Sequence, residues 1–374
     1  MTRQEESLMP NWASPPGDTI SDVLQERGWS QGEFARRLGY SEKHVSQLLK
    51  GIATLTRSTA EKLEKVVGGS VDFWLAREAK YRERKERLEQ EARYKEWSPW
   101  LDRIPVRDLM KIGAIPKIRM TENNKPSVVK EVLRFFSVAS PTEWEATYVA
   151  MEASFRRSQA AQTDMGAISA WLRAGEIAVE KTGPCPNVFN KSEFKKALKE
   201  IRSLTCLRAE VFSPKMREIL WDAGVQLIFV ESLPRAQVSG VARWLNKRPV
   251  IQLSLFGRTN DKFWFTFFHE AAHILLHSNS AAEKKLVFLD DPGTSSNDSK
   301  HEREANEWAA NFLIPEEHAG LLPSLTAKAQ IKQFAKEVGI HPGIVVGRLQ
   351  HEQIIPFSYF NNLKARLQLT KRES

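Results

Sequence analysis

The chain has little cysteine, two residues in 374. Cys185 and Cys206 form no framework spacing, which argues against a disulfide scaffold and fits a reducing compartment. Cys185 lies in a Pro-Cys-Pro turn and reads as structural. No apolar run reaches the roughly 18 residues that a membrane span needs, and no basic-then-apolar leader opens the sequence. The expectation is a cytoplasmic protein with no membrane partner. A charge of one dominant sign is also missing over most of the chain. The net charge of +9 falls within residues 98–266, which carry 26 basic and 17 acidic side chains. That density suits an ordinary solvated surface as well as a nucleic-acid or acidic contact, so bulk charge assigns no partner. The length leaves room for two or three domains, each with a sizeable core.

What the chain does contain is His269-Glu270-Ala271-Ala272-His273, set in the apolar stretch from Phe263 to His277. Two histidines four apart on a helix project from one face a turn apart, so both imidazoles can reach a single zinc ion. Glu270, beside the first, is then placed to take a proton from water in the ion's open position. Phe265, Phe268, Ile274 and Leu275 predict that this helix is buried, where polar groups are costly unless they are partnered.

Catalytic zinc takes three protein ligands. From His301 to Pro315 the spacing of Ala305, Trp308, Ala309, Phe312 and Leu313 predicts an amphipathic helix ended by the proline. Glu302 and Asn306 share one face at i and i+4. Glu302 is the expected ligand, and Asn306 then steadies a ligating histidine from behind. Glu304 lies about 200° around the helix from Glu302 and His301 is a rival. The alternative for Glu302 is a solvated carboxylate in a first turn, where acids are favoured. His277, one turn past His273, is expected at the rim or supporting a ligand.

The His-Glu-Ala-Ala-His helix followed by Glu302-x-x-Ala305-Asn306-x-x-Ala309-Ala310-x-x-x-Ile314-Pro315 resembles the ImmA/IrrE family of zinc metallopeptidases. Trp308 stands where that family's pattern has phenylalanine. The resemblance implies a zincin-like fold, Zn2+ as cofactor and cleavage of repressor-type transcription regulators.

Near the N-terminus, after Pro10, Pro15, Pro16 and Gly17, helices are predicted over 19–26, 31–38, 42–50 and 56–67. Ser30 and Ser41 are the caps of the second and third, and Gly51 stops the third. The spacing of Gln31, Ala35, Gly39, Val45 and Leu48 is that of a helix-turn-helix. Ser41, Lys43, His44, Ser46 and Gln47 then face outward where base edges would lie. Gln31, Arg36, Lys50 and Arg57 stand where phosphates would. The bland reading of the same pattern is an αα-hairpin with no DNA role. Residues 15–80 resemble HigA/VapI-type antitoxin repressors of the Xre-like class through Pro16-Gly17-x-x-Ile20, Ser30-Gln31-x-x-x-Ala35, Thr59-Ala60 and Phe73-Trp74-Leu75, with Gly32 a departure. That resemblance implies a double-stranded DNA operator, a toxin partner and a homodimer on paired half-sites.

Between these modules, 74–97 reads as a charged helix, either a solvated spacer or a coiled coil. Helix-like segments follow over 128–136, 141–157 and 165–179, and Trp171-Leu-Arg-Ala-Gly-Glu176 resembles a segment common in long proteins joining these two modules. Strands are predicted over 224–230, 238–244 and 250–255, a small sheet whose edge could take an extended peptide. Residues 290–299 read as a connector or a lid. Residues 329–350 mimic a second helix-turn-helix, for which packing into the peptidase core is preferred.

The expected fold is therefore α+β, mainly α. It comprises an all-α helix-turn-helix domain at 15–80, a charged helix and helical connecting region at 81–185, and a zincin-like metallopeptidase domain with a small sheet at 186–374. The expected function is a DNA-binding transcriptional regulator, antitoxin- or phage-repressor-like, whose zinc endopeptidase cleaves itself or a partner regulator. The alternative is a repressor or antitoxin whose peptidase-like domain is a non-catalytic sensor or docking scaffold.

Overall fold

The computed structural model describes residues 12–149, 164–183, 185–236, 238–254, 259–284, 288–290 and 300–367. Most of the expected loop (291–299) and the end of the helix expected over 141–157 lie outside these residues. The chain divides into two compact units, one running to Ser98 and taking in Met120–Val129, the other made of Pro99–Arg119 and the chain from Lys130 onward. Among the described residues, no helix is long and apolar enough to cross a membrane.

The first unit is built from α1 (Pro16–Arg27), α2 (Gln31–Leu38), α3 (Glu42–Leu49), α4 (Arg57–Val66) and the long α5 (Val71–Glu96). Ser30, Ser41, Thr56 and Ser70 each accept a hydrogen bond from the backbone N–H three residues on, which starts α2 to α5. α1 begins at Pro16, earlier than Thr19, because a proline in the first turn gives up an N–H that has no helical partner anyway. Gly17 lies against the end of α3, where a Cβ would stand 1.9 Å from the Leu49 carbonyl oxygen. Only glycine permits that approach. Gly39, at φ 68°, makes the tight turn between α2 and α3. Phe34, Ala35, Val45 and Leu48 pack with Ile20, Leu63 and Trp74 into one core. α5 contributes Trp74, Tyr81 and the buried carboxylate of Glu78, which binds Arg82 at 2.8 Å.

Among the described residues, the later α-helices of six residues or more are α6 (Val106–Lys111), α7 (Lys125–Phe136), α8 (Met165–Thr182), α9 (Lys191–Ser203), α10 (Ala209–Asp222), α11 (Asn260–Lys284), α12 (Lys300–Leu313), α13 (Lys328–Val338) and α14 (Pro342–His351). The sheet has four strands in the order β1-β3-β2-β4, with β1 (Gln226–Phe229), β2 (Gly240–Leu245), β3 (Arg248–Leu253) and β4 (Phe288–Asp290). β1 runs parallel to β3, while β2 is antiparallel to β3 and β4. Three strands were predicted. β4 is too short for a period of two to show.

Alternation along the strands gives the sheet two different faces. Leu227, Ala242, Ile251 and Leu253 join Phe263, Phe267, Phe268 and Ala271 of α11 in the main core. Gln252 and Arg243 bond instead to α8: Gln252 Nε2 donates to Trp171 O at 2.7 Å and Arg243 to Leu172 O at 2.6 Å. The expected boundary at 185/186 would separate α8 from the strands it is bonded to, so α8 is part of the compact unit that holds the sheet. Ile331, Phe334, Ile344, Val345 and Leu349 of the helix-turn-helix-like tail are buried in the same core as α11.

Candidate metal centre

Burial of α11 follows from its composition, since Phe263, Trp264, Phe267, Phe268 and Ala271 are all at most 1% exposed. The same helix carries His269, Glu270 and His273 into that interior, each at most 2% exposed. The two imidazoles meet with Nε2 atoms 3.0 Å apart. Glu302, in the first turn of α12, reaches both: its Oε2 is 3.2 Å from His269 Nε2 and its Oε1 3.4 Å from His273 Nε2. Among the described residues, these three form the one cluster suited to a metal ion. A tetrahedral zinc with bonds of about 2.0–2.1 Å sets its ligand atoms roughly 3.3 Å apart. The observed separations match that spacing, and two imidazole nitrogens with one carboxylate is a donor set typical of catalytic zinc. The group fits.

The rivals lie elsewhere. The His301 ring meets that of His277 at a tilt of 53°, centroids 4.3 Å apart, and Glu304 Oε2 is 3.7 Å from His277 Nε2. α11 departs from helical geometry at His277, with φ −116° and ψ 21°. The His277 ring lies 5.7 Å from the His273 ring. Asn306 is one turn past Glu302, but no hydrogen bond joins it to either histidine among the described residues; it lines a neighbouring cavity with Phe265.

Burial pushes the His273 pKa down to about 4, against the smaller upward pull of Glu302. The ring is thus neutral near pH 7, with a lone pair available to a metal. Burial also pushes the Glu302 carboxyl upward, yet hydrogen bonds from His269 and His273 outweigh it and hold the group below the usual carboxylate range. His277 is lowered, first by burial and then by His301.

In the first unit, Gln31, Arg36, Ser41, Lys43 and Lys50 are exposed and His44, Ser46 and Gln47 half-buried. Ser41 Oγ is engaged as the cap of α3, accepting from His44 N at 3.2 Å. Arg36 is paired with Glu33. The His44 ring meets Tyr40 edge-on at 4.6 Å. Two features escaped the residue patterns. Arg243 and Glu176 are fixed by contacts far apart in sequence, and Gly240 has no side chain to signal its packing against Glu270.

Comparison with known proteins follows the same division. Residues 20–74 match the helix-turn-helix family model, and residues 227–350, which hold His269, His273 and Glu302, match that of the IrrE N-terminal-like domain (Peptidase M78). The chain joins a helix-turn-helix domain to an IrrE N-terminal-like domain. Over 60 residues, 16% of this chain, it is 43% identical to the uncharacterized HTH-type transcriptional regulator YddM of Escherichia coli (strain K12). That match spans 64% of the relative's length. No solved structure matches the chain.

Proposed function

We propose that this chain is a DNA-binding transcriptional regulator whose IrrE-like domain is a zinc-dependent endopeptidase acting on itself or on a partner regulator. The observation that carries the enzymatic half is the convergence of His269 Nε2, His273 Nε2 and Glu302 in a buried cluster beside Glu270. In this reading the first three hold zinc. When bound, zinc supplies a Lewis acid that acidifies water and polarises a peptide carbonyl. Glu270, held on the ligand helix, accepts the proton from the attacking water and delivers it to the leaving amine. Asp290 belongs to the edge strand β4, where an extended substrate can pair by strand addition.

The DNA-binding half rests on the match over 20–74 and on a polar face of α2 and α3 whose side chains are exposed or half-buried. Lys43, His44, Ser46 and Gln47 are the base-reading side chains, with Ser41 starting their helix. Gln31, Arg36 and Lys50 contact phosphates. A homodimer on paired half-sites, a toxin partner for an antitoxin role, and a place in the cytoplasm belong to the same proposal.

The test is cleavage by the purified zinc-loaded chain, of itself or of co-expressed regulators, followed by mass spectrometry. A product formed by the native protein and absent with Glu270→Gln supports the reading. Identical products from both, or none from either, would leave the sensor or scaffold role.

A further inference from the structure

A cavity of about 620 Å³ lies in the unit that holds the metal cluster, within the roughly 300–1,000 Å³ usual for sites that enclose a ligand. Its walls are the next turns of the two helices that carry the cluster. Phe265 stands one turn before His269 on α11, ring centroids 6.2 Å apart. Asn306 and Ala310 stand one and two turns beyond Glu302 on α12, and Ile344 of α14 completes the apolar wall.

Two pairs of the charged groups that line the cavity are matched. Lys364 Nζ donates to Asp261 Oδ2 at 2.6 Å and to Gln350 Oε1 at 2.7 Å, and Arg348 pairs with Glu352. Lys262, Arg303 and Glu307 line it too, so charges of both signs border a wall that is apolar at Phe265, Ala310, Leu313, Ile314 and Ile344. Phe357 also lines it and is 74% exposed, a large apolar ring with little of this chain over it.

We propose that this cavity receives a large apolar side chain, aliphatic or aromatic, from the substrate residue beside the bond cleaved at the metal centre. The proposal rests on the peptidase reading above. Ala310 leaves the depth that such a side chain needs, Phe265 joins the cavity to the ligand helix, and Phe357 covers the seated group.

The probe is a pair of fluorescent pentapeptides that differ only in a central phenylalanine or alanine. They are titrated against the zinc-loaded Glu270→Gln chain, which keeps the three ligands. The phenylalanine peptide is expected to bind about tenfold more tightly or better, the scale set by burying the extra apolar surface. Adding Ala310→Phe fills the cavity and should bring the two affinities to within about twofold, at unchanged zinc content. Phe357→Ser, at an exposed position that the fold does not need, should reduce the preference severalfold, and it serves as the test if the Ala310 variant fails to fold. A preference near unity, or one that survives both substitutions, overturns the proposal. If the preference is lost as described but the chain with Glu270 intact cleaves neither peptide, the cavity stands and the peptidase reading falls. Cleavage without the preference has the reverse meaning.

Discussion

Gly240 of β2 faces Glu270 of α11 so closely that a Cβ added to it would stand 3.0 Å from Glu270 Cγ and 2.6 Å from Thr266 Cγ2. The strand thereby fixes how far the carboxylate can sit from the sheet. Gly240→Ala touches none of the three ligand residues but crowds Thr266, Glu270 and also Leu253, whose Cδ2 would lie 2.9 Å from the new Cβ. Turnover of a cleaved peptide should fall by about ten- to a hundredfold, as expected for a misplaced proton acceptor, with KM and zinc content little changed. Steady-state kinetics alongside metal analysis checks this. Unchanged kcat would show that the contact does not position the carboxylate.

Arg243 is buried on the opposite face of the sheet and bonds to Glu176 at 2.9 Å, Leu172 O at 2.6 Å and Gln252 Oε1 at 3.1 Å. Glu176→Ala leaves that guanidinium without its counter-charge and should destabilise the sheet-bearing unit by about 3–5 kcal/mol. The double variant Arg243→Met with Glu176→Leu should lose much less, because it removes both charges. Urea unfolding followed by tryptophan fluorescence compares the two. Equal losses would mean that the pair's packing, not its charge balance, holds α8 to the sheet.

These two cases mark the limits of what the sequence makes legible. The metal helix was readable because zinc needs two histidines at a fixed helical spacing, and the apolar run around them declares its burial. Glu302 was readable as a candidate, yet choosing it over His301 and Glu304 required the tertiary contacts, in which those two side chains meet the His277 ring instead. The helix-turn-helix was legible from its caps and from Gly39. The early start of α1 was hidden by Pro16, which reads as loop until its place at the first turn is seen. Arg243 and Glu176 are 67 positions apart, so no local period connects them. Gly240 gives no signal at all, since its role is the side chain it lacks.

The metal-free protein should be acid-sensitive. His273 titrates at about 4 in the fold, below the unfolded value of about 6.5. Its contribution to stability is complete above pH ~6.5 and is lost as pH falls toward ~4, because the unfolded chain takes up the proton first. Glu302, also lowered, acts in the same sense at lower pH. Urea midpoints measured after chelation should drop between pH 7 and 4, and less steeply in His273→Asn. The same slope in both would assign the acid sensitivity to other groups.

For the DNA-binding half, Lys43→Ala combined with Gln47→Ala should weaken operator binding by at least about tenfold, since each base contact contributes on the order of 1–3 kcal/mol. Binding to unrelated DNA should change less. Ser41→Ala acts differently, because its oxygen caps α3; it should cost about 1 kcal/mol of helix stability. Footprinting and thermal unfolding separate the two effects. Full operator affinity in the double variant would contradict the placement of α3 in the major groove.

The most direct measurement is zinc content after purification and dialysis, for the native chain, Glu302→Ala and Glu304→Ala. The account predicts one zinc per chain in the native protein and in Glu304→Ala, with most of it lost from Glu302→Ala. Full zinc retention by Glu302→Ala, or a native chain that takes up none, would contradict it.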